Sequence, residues 1–159
     1  MKLAFYLGKY GGLHGKAIAD YTGGPYSHVE MVFEAPYLPT PRVKIWPHDK
    51  GGSVCYSSSS ASPRHGCGFQ MIDLTDGKWL VKDLPGANWA AALDLAIKDD
   101  GRPYDWRGLV GFIVKGQDNK KERFCSEECV LLLQASGLLL GVNAVTTSPN
   151  YLAQLMGVL

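Results

Sequence analysis

The hydrophobic pattern of this 159-residue chain changes at Pro85, and this change constrains the fold more than any other feature. Most segments before Pro85 are typical of short strands separated by Gly-, Pro- or Ser-rich turns, with clear alternation at 26–33 and helical spacing at 13–21. After Pro85, apolar residues recur at helical spacing. This order predicts one α+β domain over residues 1–159, with a mostly antiparallel sheet followed by helices. Strands are predicted at 3–7, 26–33, 53–60, 68–74 and 78–84, and helices at 13–21, 89–100, 104–114, 125–137 and 150–156.

Local signals set the ends of several predicted helices. Asn88 is a capping residue for the helix that Gly101 closes, and Gly137 stops the helix after Cys125. Pro149 suits the first turn of the last helix. The apolar residues of the first helix are expected to form one face: Leu13, Ala17, Ile18 and Tyr21.

Composition and charge exclude several classes of protein. A hydrophobic fraction of 46% and a charged fraction of 19% are those of a globular domain. A formal net charge of +1 without a long Lys/Arg block argues against a nucleic-acid partner, because phosphate binding needs a concentrated basic face. No segment approaches the ~20 apolar residues of a transmembrane helix. The N-terminal segment lacks the apolar region and cleavage site of a secretory signal, so we expect a cytoplasmic protein.

The four cysteines are expected to be reduced. Without a secretory signal, Cys55, Cys67, Cys125 and Cys129 are predicted to be thiols rather than two disulfides. Cys55, His65 and Cys67 offer ligands for zinc, but no CxxC pair supports such a site. We therefore predict no metal and no cofactor. Cys55 and Cys129 are expected to be structural residues.

Cys125 lies at the start of an apolar helical run, "CSEECVLLLQASG". A thiol at a helix N-terminus is close to backbone N–H groups that favour the thiolate and bind the oxyanion formed when a carbonyl is attacked. Glu127 and Glu128 favour the start of a helix here, but their charges oppose part of that effect. Cysteine is also among the most often buried residues, so Cys125 is interpreted either as a nucleophile or as a core residue.

A nucleophilic thiol needs a base, and His28 is the candidate. It lies within a predicted strand, on the face opposite Val29, Met31 and Phe33. A histidine in a strand is often structural, but together with a cysteine at a helix start it is typical of papain-type enzymes. The other histidines are assigned to a helix surface, a loop and a turn: His14, His48 and His65.

The motif "GRPYDWRG" followed by "FCSEEC" resembles the Gly-x-Pro-Tyr-x-Trp-x-Gly and Asp-Cys-Ser-Gly pattern of NlpC-type cysteine hydrolases, which cut peptidoglycan stem peptides. In those enzymes the catalytic histidine follows the cysteine, whereas here no histidine follows Cys125 and "SHVE" precedes it. That order resembles the circularly permuted branch of this papain-like fold, with its YiiX-type and lecithin–retinol acyltransferase relatives. The segments "YSSS", "YDW" and "SPNYL" are also similar to small bacteriophage proteins of this branch.

The resemblance implies a set of site residues. Cys125 matches the nucleophile, His28 the general base, and Tyr104 the tyrosine that supports the oxyanion hole. The third member, which orients the imidazole, comes in the permuted group from the strand after the histidine, and residues 54–59 contain no His, Asn or Glu. Four candidates for this position stay open: Ser57, Ser58, Glu30 and His65.

The expected function is that of a cysteine peptidase or related thiol hydrolase acting on an amide through an acyl-enzyme. A peptidoglycan stem peptide is the first substrate that the resemblance implies. An acyltransferase or thioesterase is the second enzymatic alternative. A non-catalytic phage or virion binding module that retains the fold is the third. A phage protein acting at entry or lysis would reconcile a cytoplasmic sequence with a cell-wall substrate, and no pattern predicts an oligomeric state.

Overall fold

The computed structural model describes residues 1–34, 45–46, 52–60, 65–105 and 123–159. These residues form an α+β domain in which five antiparallel strands pack against four helices, so the predicted class is confirmed. The strands are β1 (Lys2–Leu7), β2 (Tyr26–Phe33), β3 (Ile45–Trp46), β4 (Ser53–Ser59), β5 (Gly66–Ile72) and β6 (Trp79–Asp83). The helices are α1 (Gly12–Tyr21), α2 (Trp89–Asp99), α3 (Cys125–Ala135) and α4 (Pro149–Leu155).

Some sequence predictions fall outside the described residues. They include His48, Trp106 and most of the helix predicted at 104–114. Tyr104 itself forms a β-bridge with Arg123 instead of starting a helix.

The six strands form one sheet in the order β3-β5-β4-β2-β1-β6. The two-residue strand β3 runs parallel to β5, and the other neighbouring strands are antiparallel. One face of the sheet shares the main hydrophobic core with α2, α3 and α4. Val29, Met31 and Phe33 of β2 belong to that core, as the alternating pattern predicts, so His28 and Glu30 project to the opposite face.

The predicted helix ends are mostly confirmed. The Asn88 side chain accepts a hydrogen bond from the Ala91 N–H, which makes it the N-cap of α2. Gly137 follows α3 with a φ of 90°, a conformation that favours glycine after a helix. Pro149 occupies the first turn of α4.

The expected apolar face of α1 is wrong. Leu13 is 87% exposed and Tyr21 is 55% exposed, whereas Gly15 and Ala19 are buried. The reason is close packing on the backbone of Gly8, where an added Cβ would lie 2.5 Å from the Ala19 Cβ and 2.8 Å from the Gly15 carbonyl oxygen. Small residues, not large apolar ones, therefore form the contact face of this helix.

Strands β2 and β4 pair over only part of their length. In the described residues, the ladder between them joins Met31–Phe33 of β2 to β4, while β2 pairs with β1 along nearly its whole length. Beyond this ladder, side chains fill the gap: Ser57 Oγ and Cys129 Sγ donate to the Val29 carbonyl oxygen at 2.8 and 3.7 Å. The divergence of the two strands lets the N-terminus of α3 approach the part of β2 that carries His28.

Asn150 fixes the start of β2. Its side chain is fully buried on α4, with Oδ1 accepting from the Tyr26 N–H at 2.9 Å. Its Nδ2 donates to the Tyr26 carbonyl oxygen at 2.9 Å and to Thr22 Oγ1 at 2.6 Å. One side chain therefore joins α4, the end of α1 and the strand residue two positions before His28. No helix within the described ranges is long and apolar enough to cross a membrane.

Candidate active site

Cys125 is the first residue of α3. Phe124 precedes it in an extended conformation, and the Phe124 carbonyl oxygen accepts the first helical hydrogen bond, from the Glu128 N–H. The first-turn N–H groups therefore surround the thiol, and the Phe124 side chain has no acceptor with which to cap them. Cys125 is 4% exposed, so the residue is almost completely buried.

The His28 imidazole lies close enough to Cys125 for the charge and hydrogen-bonding capacity of that side chain to raise the pKa of His28. Residues 97 positions apart in the chain thus meet where β2 and β4 diverge. The imidazole keeps 22% of its surface exposed, so it lies at the edge of the site and not within the core. The indole of Trp79 flanks it edge-on, with ring centroids 6.4 Å apart. Of the two interpretations of Cys125, pairing with an imidazole favours the nucleophile.

Glu30 is the open candidate that contacts the imidazole. Its Oε1 lies 2.7 Å from His28 Nε2 and accepts a second hydrogen bond, at 2.9 Å, from Gln70 Nε2. The Glu30 carboxylate is fully buried. Because Nε2 is engaged by Glu30, Nδ1 is the ring nitrogen left for the thiol. Cys125, His28 and Glu30 therefore form a chain in which a buried carboxylate orients the base.

The electrostatics of this chain favour an ion pair. Burial by itself lowers the pKa of His28, but the negative charge of a Cys125 thiolate, hydrogen bonds with Cys125 and Glu30, and the charge of Glu30 outweigh it. Together these effects raise the pKa of His28 from 6.5 to about 10. At neutral pH the imidazole next to Cys125 is thus positively charged, and a cationic imidazole favours the thiolate form that a thiol nucleophile requires.

Tyr104 lies beside the thiol. Its backbone bridges Arg123, and the preceding Pro103 bridges Gly66, where an added Cβ would collide with the Arg102 carbonyl oxygen. Burial, reinforced by the charges of the Cys125 thiolate and Asp105, raises the pKa of Tyr104 far above its ordinary value. The phenol therefore keeps its proton at neutral pH and can donate a hydrogen bond.

The remaining candidates have other partners or lie elsewhere. Ser57 donates its hydroxyl to the Val29 carbonyl oxygen, and Ser58 donates to the Arg123 carbonyl oxygen at 2.7 Å. His65 is exposed at the turn before β5, with a φ of 40°. The structure thus brings together Cys125, His28, Glu30 and Tyr104, and it gives the two serine hydroxyls structural partners.

The three residues weighed for zinc are separated. Cys55 lies in a small cluster with Ala4 and Val32, whereas Cys67 belongs to the main core. Across the described ranges, no group of three or more His, Cys, Asp or Glu side chains is arranged to hold a metal ion.

Comparisons with protein-family models, with curated proteins and with solved structures find no match to this chain. The resemblance to permuted NlpC-type hydrolases therefore stays a prediction from the motifs. The argument for a function depends on the arrangement of the side chains.

Sequence reasoning missed how the two glutamates after Cys125 are neutralised. Glu127 is 3% exposed and Glu128 is fully buried, and the Arg123 guanidinium lies between them. Its Nη1 is 3.2 Å from Glu127 Oε1, and its Nε is 3.8 Å from Glu128 Oε2. Arg123 lies before the start of α3, in the segment bridged to Tyr104, so helical spacing gives no signal for this pairing and only the tertiary structure shows it.

Glu128 is expected to make stability fall with rising pH. Burial first, and then the charge of Asp99, raise the pKa of Glu128 to about 7, although Arg123 opposes the rise. A raised folded-state pKa contributes stability below the unfolded pKa, near 4.5, which is lost as pH rises through 7. The unfolding free energy of the wild type relative to Glu128→Gln should therefore fall by about 3 kcal/mol between about pH 4 and pH 8.

Urea denaturation of both proteins across that pH range measures this difference. Glu34→Gln is a matched control, because it removes the same charge from an exposed position at the end of β2. The control should change stability by less than about 0.5 kcal/mol. A pH-independent difference between wild type and Glu128→Gln would contradict the burial of an ionisable carboxylate at this position.

Proposed function

We propose that this protein is a cysteine hydrolase that cleaves an amide bond through an acyl-enzyme on Cys125. The observation that carries the proposal is that the His28 imidazole lies next to Cys125 and is hydrogen-bonded to the buried carboxylate of Glu30. A nucleophile paired with a base, which a third group orients, is the arrangement that covalent catalysis requires. We further propose that the fold is the permuted, papain-like one.

In the acylation step, the Cys125 thiolate attacks the carbonyl carbon of the substrate. The new S–C bond forms while the carbonyl π electrons move to oxygen, and the N–H groups at the start of α3 and the Tyr104 hydroxyl stabilise the oxyanion. The imidazolium of His28 then donates its proton to the leaving amine as the C–N bond breaks. The products are a thioester on Cys125 and a free amine.

In the deacylation step, His28 is neutral and acts as a base. It removes a proton from a water molecule, which attacks the thioester carbonyl and forms a second oxyanion in the same position. Collapse of this intermediate releases a carboxylic acid, and the sulfur leaves as the thiolate opposite the imidazolium. The burial of Cys125 limits the access of bulk water to the thioester.

A peptidoglycan stem peptide is the substrate that we propose first. Its support is the resemblance of "GRPYDWRG" and "FCSEEC" to NlpC-type hydrolases, together with the histidine that precedes the cysteine. A phage-borne enzyme acting at entry or lysis would meet this substrate at the cell wall. An acyltransferase would use the same acyl-enzyme and differ only in the acceptor that takes the acyl group.

Thiol labelling tests the proposal before any substrate is known. In limiting iodoacetamide near pH 7, Cys125 should be alkylated at least about ten times faster than Cys55, Cys67 or Cys129, because it lies at the start of α3 next to the His28 imidazole. His28→Ala should remove most of that advantage. Mass spectrometry of tryptic peptides gives the rate for each cysteine.

The same experiment tests the non-catalytic alternative. The 4% exposure of Cys125 favours a binding module, because a sealed thiol is inert. Equally slow labelling of all four cysteines in the folded protein would contradict the hydrolase and support that alternative. Fast labelling that His28→Ala leaves unchanged would contradict the role of His28 as base.

A further inference from the structure

The backbone of Arg123 joins three parts of the site. Its N–H donates to the Pro103 carbonyl oxygen at 3.1 Å, and its carbonyl oxygen accepts from the Asp105 N–H at 2.8 Å. These two hydrogen bonds flank Tyr104. The same carbonyl oxygen accepts from Ser58 Oγ at 2.7 Å, which ties the segment to β4. The residue two positions before the nucleophile is therefore fixed to both the Tyr104 segment and the sheet.

The side chain of Arg123 reaches into the first turn of α3. It is 14% exposed and pairs with Glu127 and Glu128, whose carboxylates are almost completely buried. A buried carboxylate is costly unless a cation faces it. Without the guanidinium, negative charge would lie within one helical turn of the thiol and oppose the thiolate.

We propose that Arg123 is a positioning residue of this site: it holds Tyr104 beside Cys125 and neutralises the glutamates that would otherwise suppress the thiolate. This inference rests on the proposed function, because it assigns Arg123 a role toward the same nucleophile. It explains how Cys125 can act as a nucleophile although two acidic residues, Glu127 and Glu128, follow it within the first turn of α3.

The titratable groups around the thiol come from every element packed against it. His28 and Glu30 face it from β2, Tyr104 and Asp105 from the bridged segment, and Cys129 from the next turn of α3. Behind the glutamates, α2 contributes Asp99, whose Oδ1 lies 2.8 Å from Arg102 Nε. Arg102 pairs with Asp99, and within the part of the chain that the structure describes Arg123 is the cation shown in contact with both acids of the α3 first turn.

The pH at which Cys125 alkylation reaches half its maximal rate tests the inference. Arg123→Met keeps an unbranched apolar stem and removes the charge, and it should raise this midpoint by about one pH unit. At neutral pH the rate should fall about tenfold. Adding Glu127→Gln to Arg123→Met should bring the pH midpoint most of the way back to the wild-type value. A purely structural role of Arg123 would not produce this recovery. Arg102→Met removes the same charge from the pair with Asp99 and not from the first turn of α3, and it should leave the midpoint within about 0.3 units.

Three outcomes would overturn the inference. They are an unchanged midpoint in folded Arg123→Met, equal shifts in Arg123→Met and Arg102→Met, and no recovery in the double variant. If Arg123→Met does not fold, Glu127→Gln alone should lower the midpoint, and an unchanged value contradicts the charge effect. His28→Ala separates the two proposals: if it leaves the midpoint unchanged, the proposed function fails. If it shifts the midpoint and Arg123→Met does not, only the role of Arg123 fails.

Discussion

Cleavage of purified peptidoglycan stem peptides is expected to fall by about 10⁴-fold or more in Cys125→Ala, and by a similar factor in His28→Ala. The first variant removes the atom that forms the acyl-enzyme, and the second removes the group that moves every proton in the cycle. Because the two residues act as a unit, the double variant should be about as slow as either single variant. Chromatography of the released peptides, with masses assigned to the products, measures the rate.

Cys129→Ala is the matched control for this loss. It removes the same sulfur one helical turn further along α3, from a position that is fully buried in the core. We expect it to lower the free energy of unfolding by about 1–2 kcal/mol while the folded protein keeps its cleavage rate. Full activity in Cys125→Ala would contradict the formation of an acyl-enzyme at this residue.

The proposed substrate can be wrong even if Cys125 does form an acyl-enzyme. If the wild type leaves stem peptides intact, incubation with a thioester substrate should show whether Cys125 accepts an acyl group, read as an increase in protein mass. An adduct on Cys125 that is absent in Cys125→Ala would support the acyltransferase or thioesterase alternative. Neither cleavage nor an adduct, together with uniformly slow alkylation, would support the binding module.

The sequence predicts the features of this molecule that depend on local pattern. The alternation of apolar and polar residues predicts both the boundaries of β2 and the face of the sheet on which His28 lies. Once one face of an alternating strand is buried, its register and the orientation of its side chains are fixed. The cap at Asn88 and the glycine after α3 are likewise local hydrogen-bonding and backbone effects. The α+β class follows from the order of the strands and helices along the chain.

The features that sequence reasoning missed depend on tertiary contacts. The contact face of α1 is determined by the close approach of Gly8 to Gly15 and Ala19, which hydrophobicity does not report. The divergence of β2 from β4, which brings α3 to the imidazole, has no signal within either strand. Glu30 was one of four open candidates for the third site position, and only the distance to His28 separates it from the others.

Glu30→Gln is expected to lower kcat by up to about 10⁴-fold with little change in KM, because it removes the charge that orients and stabilises the imidazolium while keeping the size of the side chain. The charge of Glu30 and its hydrogen bond both raise the pKa of His28, so the substitution lowers that pKa from about 10. The alkaline limb of the pH–rate profile, where His28 loses its proton, should therefore move to lower pH.

Gln70→Met provides the comparison, since it removes the second hydrogen bond to Glu30 Oε1 and leaves the contact with His28 in place. It should reduce kcat by about tenfold or less, because tenfold corresponds to the free energy that one hydrogen bond to a charged group contributes. NMR titration of the His28 ring follows its pKa directly in all three proteins. If Glu30→Gln keeps the wild-type kcat and the wild-type alkaline limb, the carboxylate only fills space beneath the ring, and the catalytic unit reduces to Cys125 and His28.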